Sequence, residues 1–226
     1  MRERANALSR EFTRYLRAFD AAAKFSGPSL YFHLQTIRIR RECREIPDLL
    51  ESELFFEYLY ATLASWGMHR MGRGNTKLRD LAEIKESVCA QSGSLEKLQR
   101  IRLSSLTSAE FQRIIPLTWR VLGSLSISIA QARLVANSKV LHHILPDLVP
   151  PIDRTYTFNF FYNRNMLTVS EEEAFTEMMV HFHSIASANA HVLQSMIGPG
   201  WYTSETKILD NALVGYVVEE LRVEED

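Results

Sequence analysis

Apolar residues recur at steps of three and four along most of this chain, the spacing of one face of an α-helix. Over residues 3–24, Leu8, Phe12, Tyr15, Leu16 and Phe19 mark a first amphipathic helix. Gly27-Pro28 ends it, and Pro28 suits the first turn of the next, where its missing N–H goes unused. Leu30, Leu34 and Ile37 carry that second helix over 29–44. A third runs from Pro47-Asp48 to Trp66; its apolar arc (Leu49, Leu50, Phe55, Phe56, Leu59, Tyr60, Leu63) is wide enough for a central position, and Gly67 stops it. Helical patterns follow at 77–91 and 94–103. Thr107 and Glu110 have capping-box spacing and open a helix to about 123, with Pro116 predicting a kink or break. Residues 124–131 alternate Ser with apolar residues, a period-two pattern with no second strand to pair with, and read as an extended linker or irregular helix. Helices are expected at 132–145 and 154–162. A second capping box at Ser170 and Glu173 opens a long one to Met196, Ile197-Gly198-Pro199-Gly200 ends it, and a last helix covers 204–222. The pattern predicts an all-α protein of about seven to ten helices, one domain with two possible lobes meeting near 124–153.

Composition narrows the class. With 226 residues, 46 % hydrophobic and 23 % charged, at a net charge of −1, the chain has the makings of a core and is not a disordered one. Two distant cysteines, Cys43 and Cys89, exclude a disulfide scaffold and suggest small apolar-like thiols in a reducing cytoplasm. No run of 18 apolar residues is present, so no membrane partner is expected, and the N-terminus does not have the pattern of a secretory signal. The near-neutral total hides an asymmetry: residues 1–46 carry an excess of five positive charges, and residues 203–226 an excess of five negative ones. The basic N-terminal face could dock on phosphate or an acidic partner, or meet the acidic C-terminal helix within the fold. The arginines at 38, 40, 41 and 44 also suit the C-terminal end of their own helix.

The chemistry concentrates in residues 133–157. Asn137-Ser138 can turn the chain and cap a helix, which places Lys139 in its first turn, at a cost of about 0.3–1 kcal/mol if exposed. Pro146, Pro150 and Pro151 stiffen the return, Ile152 enters the core, and Asp153 stands where the next helix needs an N-cap. Lys139 could equally be a lysine paired with Asp153 or Asp147, and Asp153 a cap alone. This order of turn, lysine, short helix, proline-rich return and aspartate resembles the central motif of the helix-hairpin-helix DNA glycosylases. Val135-Ala136-Asn137-Ser138 falls on the family's turn, Lys139 on its lysine and Asp153 on its aspartate. The turn here has no glycine, and no His matches the family's at Tyr156. The string Ser138-Lys139-Val140-Leu141-His142, then Pro150-Pro151 and Asp153, also resembles uncharacterised prokaryotic proteins, a likeness that implies no activity.

The glycosylase resemblance implies a two-lobed α-fold, DNA as partner, a flipped base and no required cofactor. Lys139 would attack the sugar C1′ as a neutral amine, and Asp153 would orient or deprotonate it. Asn137, Ser138, Arg133, Arg154, Arg70 and Arg73 would be the nucleic-acid contacts. The protein would then be a base-excision glycosylase, active or degenerate; the alternative is a non-enzymatic helical interaction domain using its basic N-terminal face. A His/Glu metalloenzyme is a third reading: Glu177 and His181 share a helix face, but no His-Glu-x-x-His or Cys-x-x-Cys is present and no metal site is expected. His142 and His143 point about 100° apart, so one is expected in the core and one exposed. The glycine-rich loop at 67–76 resembles a phosphate cradle only in composition, Trp66 and Met68 beside it could stack on a base or fill the core, and Trp201 is expected to seal the last helix.

Overall fold

A computed structural model describes residues 1–22, 25–69 and 76–221. They form an all-α protein with an isolated antiparallel bridge and no strand among the described residues. Among the described residues thirteen α-helices occur, more than the pattern predicts, because long amphipathic stretches are cut by single residues. The first stretch divides at Glu11 into α1 (Arg2–Arg10) and α2 (Phe12–Ala22). After α3 (Pro28–Glu42), the third divides at Ser52 into α4 (Ile46–Glu51) and α5 (Glu53–Leu63). The Ser52 hydroxyl accepts from the Phe55 N–H at 3.2 Å, so a second N-terminus is capped where the apolar pattern shows no interruption. A wide helical turn, Ala64–Met68, extends α5, and Gly67 adopts a positive φ of 80° inside it.

Next come α6 (Leu81–Cys89), α7 (Ser92–Leu98) and α8 (Ser108–Ser124). The Thr107–Glu110 capping box forms as expected. Pro116 does not break α8: only one ladder bond is lost, and Ile115, Thr118, Val121 and Leu122 hold one face in the core. The Ser-alternating stretch is extended and has a partner, since Arg79 N–H donates to Ile127 O (3.0 Å) and Ile129 N–H to Lys77 O (2.9 Å). Leu125 and Ile127 point inward and are buried.

α9 (Leu134–Ile144) and the short α10 (Asn159–Tyr162) follow. The long helix from Ser170 divides at Asn189 into α11 (Glu171–Ala188) and α12 (Ala190–Met196). The Asn189 side chain donates to Ser9 O at 3.2 Å and to Ile185 O at 3.0 Å, stitching the break to the end of α1.

The last helix, α13 (Glu205–Tyr216), is buried along its whole length. It packs chiefly along α2, and Gly215 makes the approach possible: a Cβ there would lie 1.8 Å from Tyr15 O. Buried apolar side chains from Ala5 to Val217 form one contiguous cluster around it.

The charge asymmetry is partly spent inside the fold. Arg14 pairs with Glu219 (2.7 Å) and Glu220 (3.1 Å). Arg4 donates to the Asn159 and Phe160 carbonyls, and buried Arg40 to Ile144 O at 2.7 Å.

Candidate functional site

The site is built from α9 and the proline-rich segment after it. α9 begins four residues earlier than a cap at Asn137 would allow, because its cap comes from elsewhere. The Glu171 carboxylate accepts from Arg133 N–H (3.0 Å) and Leu134 N–H (3.1 Å), bringing negative charge to the positive end of the helix. Asn137 and Ser138 therefore lie mid-helix and are buried, which removes them as caps and as nucleic-acid contacts. Asn137 Nδ2 donates to Leu122 O and Leu125 O, both at 2.8 Å, anchoring the end of α8. Ser138 Oγ accepts from Ile152 N–H at 3.1 Å. That bond clamps the returning segment against α9, so Asp153 arrives beside the turn that carries Lys139.

Lys139 is consequently not in a first turn. The price of its position is burial rather than an opposing helix dipole. Its side chain is 8 % exposed, donates to Trp66 O at 3.4 Å and lies 5.7 Å from the Trp66 ring. Burial lowers its pKa from the usual lysine value and Lys207 adds to this, while Asp153 and Asp210 oppose it. Among the described residues no ion pair joins Lys139 to Asp153 or Asp147; Asp147 lies 3.7 Å from Arg102. Asp153 is the expected N-cap, accepting from Tyr156 N–H at 2.6 Å, and is only half-buried.

Both residues open onto one cavity of about 440 Å³. Phe25, Trp66, Tyr156 and Trp201 supply aromatic wall, and α13 contributes Lys207 and Asp210. Lys207 Nζ donates to Asp210 Oδ2 (2.6 Å) and Asn211 Oδ1 (2.8 Å) and sits 4.9 Å from the Trp201 ring. Burial raises the Asp210 pKa, and Lys207 counters it. The cavity thus gathers two ammonium groups and two carboxyl groups against aromatic surface.

A histidine cluster backs the cavity. His142 and His143 are both fully buried, against the expectation that one would be exposed, because His33 of α3 packs against them. Carbonyl acceptors set the tautomers. His143 Nδ1–H donates to Lys139 O (2.7 Å), leaving Nε2 to accept from His33 Nδ1–H (3.0 Å); His33 Nε2 then accepts from the Thr203 hydroxyl (2.8 Å). His142 Nδ1–H donates to Val149 O at 2.9 Å. Burial keeps all three neutral, with the His143 pKa lowered to about 4. His33 also stacks on Trp66 and Trp201, with centroids 5.5 and 5.1 Å away.

The remaining candidates are dispersed. Arg133 and Arg154 are exposed and do not line the cavity; Arg133 Nη1 donates to Gly123 O at 2.7 Å. Arg70 and Arg73 lie outside the described residues. Trp66 lines the cavity and Met68 does not. Glu177 accepts from Tyr162 OH at 3.1 Å, His181 stacks on Phe161, and no group of three metal-ligating side chains occurs among the described residues. Cys43 and Cys89 are half-buried free thiols. Sequence reasoning missed Lys207, Asp210 and His33. The only signal for the first two was a Lys and an Asp three residues apart in a helix run shortly after Trp201, where Ile208, Leu209, Ala212, Leu213 and Val214 supply the apolar positions. No family model, curated protein or solved structure matches the chain.

Proposed function

We propose that the protein excises a base from DNA as a glycosylase of the helix-hairpin-helix type, with Lys139 as nucleophile and Asp153 as its carboxylate partner. The observation that supports this reading is that one cavity, of about 440 Å³, opens on a buried amine of lowered pKa and on a half-buried carboxylate. An amine attacks only when neutral, and burial favours that form. In the proposed reaction Lys139 Nζ bonds to the sugar C1′ as the C1′–N bond to the base breaks. The base leaves with the electron pair and takes up a proton. Asp153 accepts the proton shed by the amine. Opening of the sugar ring then breaks the C1′–O4′ bond, O4′ gains a proton, and a Schiff base remains. Arg133 and Arg154 are the exposed cations nearest in sequence to the site for holding phosphate. The helix-hairpin-helix relationship of the fold, and a role in DNA repair, belong to this same reading.

Borohydride traps the Schiff base. DNA carrying uracil, 8-oxoguanine or an abasic site is expected to give a covalent adduct that Lys139→Ala abolishes. Asp153→Asn is expected to slow trapping about 100-fold or more while leaving stability unchanged, since Asn caps a helix as well as Asp does. No adduct on any of the three substrates overturns the proposal and leaves the helical interaction domain as the reading.

A further inference from the structure

The Lys207–Asp210 pair is not needed by the chemistry just described, yet it is buried, polar and faces the cavity. Both residues are 6 % exposed. An ammonium group has three donors, and two of those on Lys207 go to Asp210 Oδ2 and Asn211 Oδ1. One donor remains. Asp210 keeps acceptor capacity, because a carboxylate offers about four lone-pair sites. Asn211 is held in place from behind: its Nδ2 donates to Trp201 O at 2.9 Å, so the amide oxygen is turned to Lys207. The cavity therefore presents a fixed positive donor beside a fixed negative acceptor, next to the rings of Trp66 and Trp201.

We propose that this pair selects the base: the cavity takes a ring with a lactam edge, a carbonyl oxygen adjacent to a ring N–H, over one with an amino group adjacent to a bare ring nitrogen. The inference rests on the base-excision reading and names its substrate class. A lactam edge is the electrostatic complement of the ion pair: its oxygen faces the Lys207 ammonium and its acidic N–H faces the Asp210 carboxylate, giving two charge-assisted hydrogen bonds. In the same ring orientation an amino-substituted edge reverses the order, setting donor against donor and acceptor against acceptor. Hypoxanthine, guanine and uracil have the lactam edge; adenine and cytosine do not. Lys207 Nζ lies 4.9 Å from the Trp201 ring and 5.8 Å from the Phe19 ring, and an ammonium group has no acceptor to offer an amino group in any rotation.

Equilibrium binding of nucleosides tests this without any turnover. Quenching of tryptophan fluorescence in the wild-type protein is expected to show 2′-deoxyinosine binding at least tenfold tighter than 2′-deoxyadenosine, and 2′-deoxyuridine at least tenfold tighter than 2′-deoxycytidine. In the double variant Lys207→Met/Asp210→Asn, which removes both charges together, the preference is expected to fall to about twofold or less. Equal or reversed order in the wild type, no quenching by any of the four, or a preference that survives the double variant each overturn the inference. If the double variant does not fold, the wild-type order alone decides. An abasic site has no base to select, so its borohydride adduct separates the two claims. An adduct without lactam preference sinks only the selection, whereas a preference without any adduct sinks only the excision.

Discussion

Lys139 is a residue whose position costs stability. Its ammonium has lost water and gained one long bond to a carbonyl. Burial sets its folded-state pKa below 10.5, so the unfolded chain binds more protons between that lowered value and 10.5. The cost is full below the folded pKa and is relieved as the pH rises toward 10.5. Lys139→Met is therefore expected to stabilise the protein by about 1 kcal/mol at pH 7, with the gain shrinking by pH 10 in thermal melts. A loss of stability at pH 7 would show that the lysine holds the fold together instead. At this scale the sequence was informative where a residue defied its surroundings. A lysine inside an apolar helix and an aspartate straight after Pro-Pro-Ile both stood out, and both line the cavity. Lys207 and Asp210 did not stand out, because a Lys and an Asp three apart near an acidic terminus look like a solvated face until α2 is known to cover them.

Elements were legible from their own ends and obscure where a distant chain supplied the end. The caps at Thr107 and Ser170 announced α8 and α11 because cap and first turn are neighbours in sequence. The cap of α9 is Glu171, 37 positions beyond Leu134, and no local pattern shows it. That is why Asn137-Ser138 reads as a cap and turns out to be a clamp. Removing Glu171 leaves two backbone N–H groups without their acceptor. Glu171→Ala is expected to cost about 1–2 kcal/mol in urea denaturation, and Glu171→Gln less, since an amide oxygen still accepts. An unchanged urea midpoint for the alanine variant would mean that water replaces the carboxylate at no cost. The same logic explains the helix count: Ser52 and Asn189 each end one helix and start another without disturbing the apolar period.

Across the whole molecule, three neutral histidines from α3 and α9 sit behind the cavity. Each folded-state pKa lies below the ordinary 6.5, that of His143 at about 4. As pH falls through 6.5 the unfolded chain gains protons that the folded chain refuses, so stability falls with it. Each histidine contributes about 1.4 kcal/mol per pH unit once below 6.5. Between pH 7 and 5.5 the protein is expected to lose about 3–4 kcal/mol of unfolding free energy, and His33→Gln to reduce that loss by about a third. A loss under about 1 kcal/mol would mean that the cluster takes up protons while folded. The all-α class was readable from periodicity, and so was an extended course as one of two readings of 124–131, though its partner at 77–79 was not. The convergence of α3, α9 and α13 on one cavity was not, because periodicity reports which side of a helix is apolar and says nothing of its neighbour.

The missing side chain at Gly215 has a reach beyond its own contact. With its backbone against Tyr15, α13 has no slack to slide or roll, and Lys207, Asp210 and Asn211 ride on that anchored rod. Their spacing is thus set before any guest arrives. Whatever room a guest requires has to be made on the facing wall, where Trp66 rides a helical turn and Trp201 the loop before α13, so the molecule works like a vice with one jaw welded.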